Sequence, residues 1–189
     1  PWQTDRSDSR IAMRQQLSFN GFGYDYTHTI ELDPETAAFT TRHRLTNTGD
    51  KPIHQTHYSH NFLVLNRQSI GPGYEISFPF TPAPGFDADS PARLNGNTLT
   101  FSRPLSQPVF AMLEGFNGTA VDNGATVRHR DTGVGIRITG DQPIVRYHFF
   151  AAPGAICPEP FVEMRLSPGQ TMTWQHRYDI LGAEKHPST

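Results

Sequence analysis

A single cysteine, Cys157, in 189 residues rules out an intrachain disulfide and leaves the redox compartment open. Charged residues are scarce at 18% and nearly balanced, with a net charge of −2. Bulk charge therefore gives no pull toward nucleic acid or a membrane surface. No apolar run approaches the length of a membrane span. No segment keeps a helical period, and no repeat recurs at about 20–50 residues. The chain starts at Pro1 rather than Met, and no signal-like segment follows. That reads as processing or truncation upstream. A processed terminus fits a periplasmic or secreted protein, and a cytoplasmic one stays open.

What the chain does have is punctuation and aromatic mass: 16 Gly, 16 Pro, 13 Phe, 6 Tyr and 2 Trp. This composition predicts an all-β chain of short strands and frequent turns. Residues 1–16 are polar and without period, with Trp2 as a packing anchor at an edge. Strands are expected over Tyr24 to Leu32 and Phe39 to Thr46, the latter with Thr41, His43 and Leu45 on one face and Arg42 and Arg44 on the other. Asn47-Thr-Gly-Asp50 reads as a hairpin turn, with Gly49 supplying a positive φ. Ile53 to Leu65 reads as one long, bulged strand and Tyr74 to Phe80 as another. Residues 81–97, rich in Pro, Gly, Asp and Asn, read as a long surface loop. Further strands are expected at Thr98–Phe101, Val109–Leu113, Thr126–Arg130, Gly135–Thr139, Ile144–Phe150, Phe161–Leu166 and Thr171–Ile180. The sum is one antiparallel β-sandwich of roughly ten to twelve strands.

Three of nine histidines fall in His54-Gln-Thr-His57-Tyr-Ser-His60. Histidine titrates nearest neutral pH, so the cluster is either a metal site, an acid/base site or a hydrogen-bonded strand end. Strand alternation puts His54 and His60 on one face and His57 on the other, which disfavours three ligands on one ion; no metal and no cofactor are expected. Glu159 sits between prolines in Ile156-Cys-Pro-Glu-Pro160, beside Phe161. Apolar neighbours would raise its proton affinity, as a general base needs, and an ordinary turn carboxylate is the competing reading. His148 lies in an apolar strand. Arg42, Arg67 and Arg146 are candidate clamps for an anionic group. Trp174, Phe78 and Phe80 are candidate stacking surfaces for a sugar, or plain core.

Three ordered segments resemble the aldose 1-epimerase, or galactose mutarotase-like, family. Leu45-Thr-Asn-Thr-Gly-Asp-Lys-Pro52 followed by Tyr58-Ser-His-Asn-Phe-Leu-Val-Leu65 is similar to the family's strand, turn and Asn-His-Ser-Tyr-Phe-Asn-Leu motif, with His60 on its histidine. Thr126 to Ile136 and Pro143 to Phe149 resemble the strand pair before the last catalytic segment. Ala155-Ile-Cys-Pro-Glu159 resembles Gly-Ile-Cys-Leu-Glu-Thr, and Leu166-Ser-Pro-Gly-Gln170 resembles the closing Leu-x-Pro-Gly-Glu turn.

The resemblance implies a galactose mutarotase-like supersandwich over 1–189 that lacks the first strands of the full domain. It implies a carbohydrate cleft in which Glu159 takes the anomeric proton. His60 is then a ring or hydroxyl hydrogen-bond partner, His57 or His148 the candidate acid, and Asn61, Tyr58, His43, Arg67 and Arg146 the substrate-binding candidates. A further family histidine, in an Asp-His-x-Phe-like segment, has no counterpart in Gln107-Pro-Val-Phe-Ala-Met112. The expected partner is a mono- or oligosaccharide, with neither nucleic acid nor membrane. An edge left uncovered would pair with a second chain or with the missing N-terminal segment. The expected activity is isomerase work of the aldose 1-epimerase type at an anomeric carbon. The alternatives are a non-catalytic carbohydrate-binding or accessory domain, and a lyase or glycosidase acting on an acidic glycan.

Overall fold

The computed structural model describes residues 1–87 and 89–182. Its strands are β1 (Gln3–Arg6), β2 (Arg10–Phe19), β3 (Phe22–Leu32), β4 (Ala38–Asn47), β5 (Ile53–His57), β6 (Tyr74–Ser77), β7 (Ala83–Pro84), β8 (Ala92–Asn95), β9 (Thr98–Phe101), β10 (Val109–Glu114), β11 (Gly124–His129), β12 (Gly135–Gly140), β13 (Arg146–Ala152), β14 (Ala155–Leu166) and β15 (Thr171–Leu181). Among the described residues the one helical element is a 3₁₀ turn at Ala120–Asp122. No helix among the described residues is long and apolar enough to cross a membrane.

The strands form a ten-stranded sheet, β1-β2-β3-β4-β15-β12-β11-β6-β9-β8, and a five-stranded sheet, β5-β14-β13-β10-β7. All pairings are antiparallel, as expected of an all-β sandwich with turn-rich connections. The two inner faces enclose a main apolar core and a smaller cluster of Leu45, Met164, Leu166 and Trp174. Tyr74, Ile76, Val127 and Ile138 of the large sheet meet Ala111, Tyr147, Phe149 and Ile156 of the small one. Alternation on β4 is as read, with His43 and Leu45 buried and Arg42 and Arg44 outside.

Four sequence expectations change. Residues 1–16 hold β1 and most of β2, an edge ribbon whose polarity hid its period. Charge pairs across the ladder help hold it, including Arg14 Nε donating to Asp25 Oδ1 at 2.8 Å. Trp2 packs edge-on against Tyr26 at 6.0 Å. Residues 81–97 are not one loop, since β8 pairs with β9 and β7 with β10. Asn47–Asp50 is not a hairpin, because β4 and β5 belong to different sheets. Gly49 is needed there for close approach, not for a positive φ: a Cβ would lie 2.4 Å from the Gly23 nitrogen. Finally, the ladder of the expected Ile53–Leu65 strand stops at His57, for a reason given below.

Where the two sheets meet beside β5, rings fill the gap. His28, His43 and Trp174 are register neighbours on β3, β4 and β15. They stack at 4.4 Å and 4.8 Å between centroids. His57 closes over them from the small sheet, 5.1 Å from His43 and 5.0 Å from Trp174. His176 stands edge-on to His43 at 6.5 Å. The Tyr26 hydroxyl lies 2.7 Å from His43 Nδ1. His28 Nε2, His43 Nε2, His57 Nδ1 and His176 Nδ1 are buried without a hydrogen-bond partner in the described structure. Burial, helped by the neighbouring imidazoles, pushes His43 down to about 3 and His57 down to about 4. Burial also lowers His28 and His176, the latter opposed by Asp141. At neutral pH the quartet is packed as uncharged aromatic rings.

Tyr74, fully buried, ties the chain beyond β5 to this frame. Its hydroxyl accepts from the Leu65 N–H at 2.9 Å and donates to the Gln68 carbonyl at 3.0 Å. Tyr74→Phe should lower unfolding free energy by about 1–3 kcal/mol, since buried backbone groups lose their partner. An unchanged urea midpoint would show the tether to be idle.

The quartet makes stability acid-sensitive. Unfolded imidazoles bind protons near pH 6.5, and the folded ones resist until pH falls toward 4 and 3. Their contribution is complete above about pH 6.5 and drains as pH falls through that lower range. Between pH 7 and 4.5 the wild type should lose on the order of 2–4 kcal/mol more than a His43→Phe/His57→Phe variant. Parallel pH curves for the two proteins in urea unfolding would refute this.

Candidate active site on the outer face of the small sheet

Glu159 lies midway along β14, and the flanking prolines explain its surroundings. Ile156 exchanges N–H···O bonds with Leu63 at 2.9 Å in both directions, so the N–H of Ile156 points toward β5. Direction alternates along a strand, so residues 158, 160 and 162 would point their N–H groups the same way. Positions 158 and 160 are prolines and have none. On the other side, β13 pairs with β14 without interruption from Arg146↔Phe161 to Ala152↔Ala155. The prolines thus break only the ladder toward β5.

Register survives the break. His57 pairs with Val162 and Leu63 with Ile156, six residues apart on both strands. Residues 58–62 therefore run opposite 161–157 without ladder bonds, and His60 stands across from Glu159. That pair falls at a non-hydrogen-bonded position, where cross-strand side chains approach most closely. His60 Nε2 lies 3.3 Å from Glu159 Oε1. The contact is close but poorly aligned, and Glu159 Oε1 is buried without a hydrogen bond in the described structure. The glutamate is 4% exposed. Burial raises its proton affinity, opposed by the charge interaction with His60.

The same alternation lays out the rest of the face. Phe62, at φ 48°, takes up left-handed backbone. Its N–H donates to Cys157 Sγ at 3.3 Å, and its ring stacks on His60 at 4.0 Å. Such a conformation is costly for a bulky residue and survives only where its surroundings hold it. Tyr58 stacks on Phe161 at 4.4 Å, and Phe150 stands edge-on to His60 at 5.6 Å. His148 is the β13 partner of Glu159 and packs between Phe110, at 5.2 Å, and Phe161, at 4.5 Å. Burial first, and then Arg146, lowers its proton affinity. The Arg146 guanidinium sits 5.1 Å over the Phe161 ring. Phe110 and Met112, exposed on β10, occupy the segment in which no histidine was found.

The structure therefore gathers Glu159, His60, His148, Tyr58 and Arg146 on one face. It does not bring the other candidates there. His57 and His43 belong to the inter-sheet quartet, on the opposite face of the small sheet from Glu159, so His57 is removed as a stand-in acid. Asn61 points inward, its Oδ1 accepting from the Tyr178 hydroxyl at 2.8 Å. Arg67 is exposed in the turn after Leu65, at φ 58°, and makes no side-chain hydrogen bond among the described residues. Arg42 pairs with Glu31 and Gln175 on the far sheet. Trp174, Phe78 and Phe80 are core. Cys157, Phe62, Phe150 and Phe161 were not singled out as site residues from sequence. Reading Cys157, Glu159 and Phe161 as alternate positions of one strand would have found two of them.

No protein-family model matches the sequence, and no curated protein matches it. Solved structures do match. An aldose epimerase homologue from C. elegans superposes with a TM-score of 0.69 at 13% identity, covering 95% of this chain and 68% of its own. A galactose mutarotase related enzyme from Lactobacillus acidophilus gives 0.65 at 11% identity, covering 95% and 70%. A galactose mutarotase-like protein from Lactobacillus casei gives 0.59 at 16% identity, covering 95% and 72%. A TPR-domain containing protein from Parabacteroides distasonis holds a like fold in 36% of its length, matched by 100% of this chain at 12% identity and a TM-score of 0.60. These likenesses, with two antiparallel sheets and few helical residues, make the fold of this chain that of the galactose mutarotase-like proteins.

Proposed function

We propose that the protein acts on a sugar at its anomeric carbon by general acid/base catalysis, in the manner of an aldose 1-epimerase. The observation that carries this reading is the buried Glu159, its proton affinity raised, with His60 3.3 Å away on an open aromatic face. Glu159 takes the anomeric hydroxyl proton. His60, a third exposed, delivers a proton to the ring oxygen as the ring opens and takes it back as the ring recloses, when Glu159 returns its proton to the carbonyl oxygen. The ring opens, the carbonyl turns, and the ring recloses as the other anomer. His148 starts and stays neutral, because burial and Arg146 disfavour its cation, and it orients a hydroxyl by hydrogen bonding. The rings of Tyr58, Phe62, Phe110 and Phe161 present apolar faces on which a pyranose can stack. The names of the similar structures support a sugar as substrate.

A second reading has its own observation. Arg146, over Phe161 at the end of the row, is placed to neutralise a carboxylate, as a lyase or glycosidase on an acidic glycan requires. Arg146→Ala should then lower activity on uronates and spare neutral sugars. Equal effects on both would dismiss it.

Glu159→Gln should cut anomer interconversion, followed by polarimetry or NMR exchange, by about 10²–10⁴-fold while the melting temperature holds. Full turnover on every sugar the wild type accepts would overturn the proposal, and binding without interconversion in the wild type would favour the accessory-domain alternative. Because Glu159 works as a carboxylate and burial raises its pKa, the wild-type rate should fall as pH drops through that raised value. His60→Ala should lower the rate, and His57→Ala should leave the rate while lowering stability. The reverse pattern would place the chemistry on the wrong face.

A further inference from the structure

The face around Glu159 holds one arrangement that acid/base work does not use. A ring nitrogen of His60, the Sγ of Cys157 and a carboxylate oxygen of Glu159 all lie within 4.8 Å of one another. We propose that these three side chains form a binding site for a thiophilic divalent cation of the zinc type, and that its occupancy shuts off the base function of Glu159. The second clause rests on the acid/base reading above, and the first does not.

The donor chemistry selects the ion. An imidazole, a thiolate and a carboxylate suit zinc, and three protein ligands with an open fourth position are a common zinc geometry. Calcium and magnesium prefer all-oxygen sites. At bond lengths of about 2.0–2.3 Å, tetrahedral donors stand about 3.3–3.8 Å apart. The His60–Glu159 separation of 3.3 Å already meets that, and the sulfur lies within 4.8 Å of both donors.

Three observations beyond the donor set point to a ligand. Glu159 is 4% exposed, and its Oε1 has no hydrogen bond in the described structure, although a buried carboxylate oxygen ordinarily has a partner. The Phe62 N–H already donates to Cys157 Sγ, the kind of outer contact that steadies a metal-bound thiolate. The Phe62 ring lies flat on His60 at 4.0 Å and 10°, which fixes the plane of the imidazole. Cys157 itself is buried and binds an ion as the thiolate, so binding releases its proton to solvent. Affinity should therefore rise with pH. His54 and His57 take no part in this set, because His57 lies on the other face and His54 pairs with Glu163 at 3.1 Å.

Titration of the full chain, kept reduced with a phosphine, tests the site. Calorimetry with Zn²⁺ should show one equivalent bound, and Co²⁺ should give a thiolate-to-metal absorption band that strengthens with pH. Cys157→Ser, Cys157→Ala and His60→Ala should each weaken Zn²⁺ at least about tenfold, and both cysteine variants should lose the cobalt band. The sugar turnover that Cys157→Ser retains should escape inhibition by Zn²⁺, and inhibition equal to that of the wild type would overturn the site. Wild-type Co²⁺ spectra without a thiolate band, or Zn²⁺ binding undiminished in Cys157→Ser, would overturn the site whether or not the variants fold well. A wild type that shows the band but turns over no sugar would keep the metal site and strike out the catalytic reading.

Discussion

Two missing N–H groups organise the face on which the chemistry is placed. Pro158 and Pro160 face the edge strand with nothing to donate, so β14 stays bonded to β13 and unbonded to residues 58–62. The neighbouring segment is relieved of ladder geometry but not of register, because His57–Val162 and Leu63–Ile156 pin both ends at equal spacing. The result is a cross-strand pair, His60 and Glu159, in which one member rests on a stitched strand and the other on an unstitched one. The left-handed turn at Phe62, the bond to Cys157 and the stack on His60 are possible because no ladder bond forbids them.

The two faces of the small sheet divide the histidines by environment. On the inner side, packing wins: His57 meets His28, His43 and His176 of the large sheet as uncharged rings, with His43 and His57 against Trp174, and their lowered proton affinity reflects that burial. On the outer face a buried carboxylate sits beside a partly exposed imidazole, with apolar rings around them. Alternation along a single stretch of sequence sends His57 to the first setting and His60 to the second. Residues three apart in the chain thus meet different solvents.

Much of this was legible beforehand. The pairing of His60 with Glu159 came from ordered motifs, and the split of His54 and His60 from His57 came from the two-residue period. Strand character from β9 to β13 and at β15 followed from alternation bounded by Gly, Pro and Asp turns. The losses share a cause, which is that a local rule was outweighed by a neighbour in space. The start of β14 was missed because prolines argue against a central strand, and here only one of its two ladders is spared them. The first strands were missed because an edge ribbon with one wet face carries polar side chains held by cross-strand charge pairs such as Arg14–Asp25. Asn61 and His43 were assigned to the sugar because sequence proximity does not tell which of two faces a side chain joins when the sheet has both faces packed.

The half-broken ladder has a mechanical consequence. Glu159 is fixed by continuous bonding to β13, whereas residues 58–62 are attached to β14 mainly at their ends. That segment forms a short strap paired to β14 at His57 and Leu63. Its bowing would widen or narrow the gap between carboxylate and imidazole without disturbing the sheet beneath. Any change in the separation of the two groups would come from the side of the strap, on which the Tyr58, His60 and Phe62 rings lie.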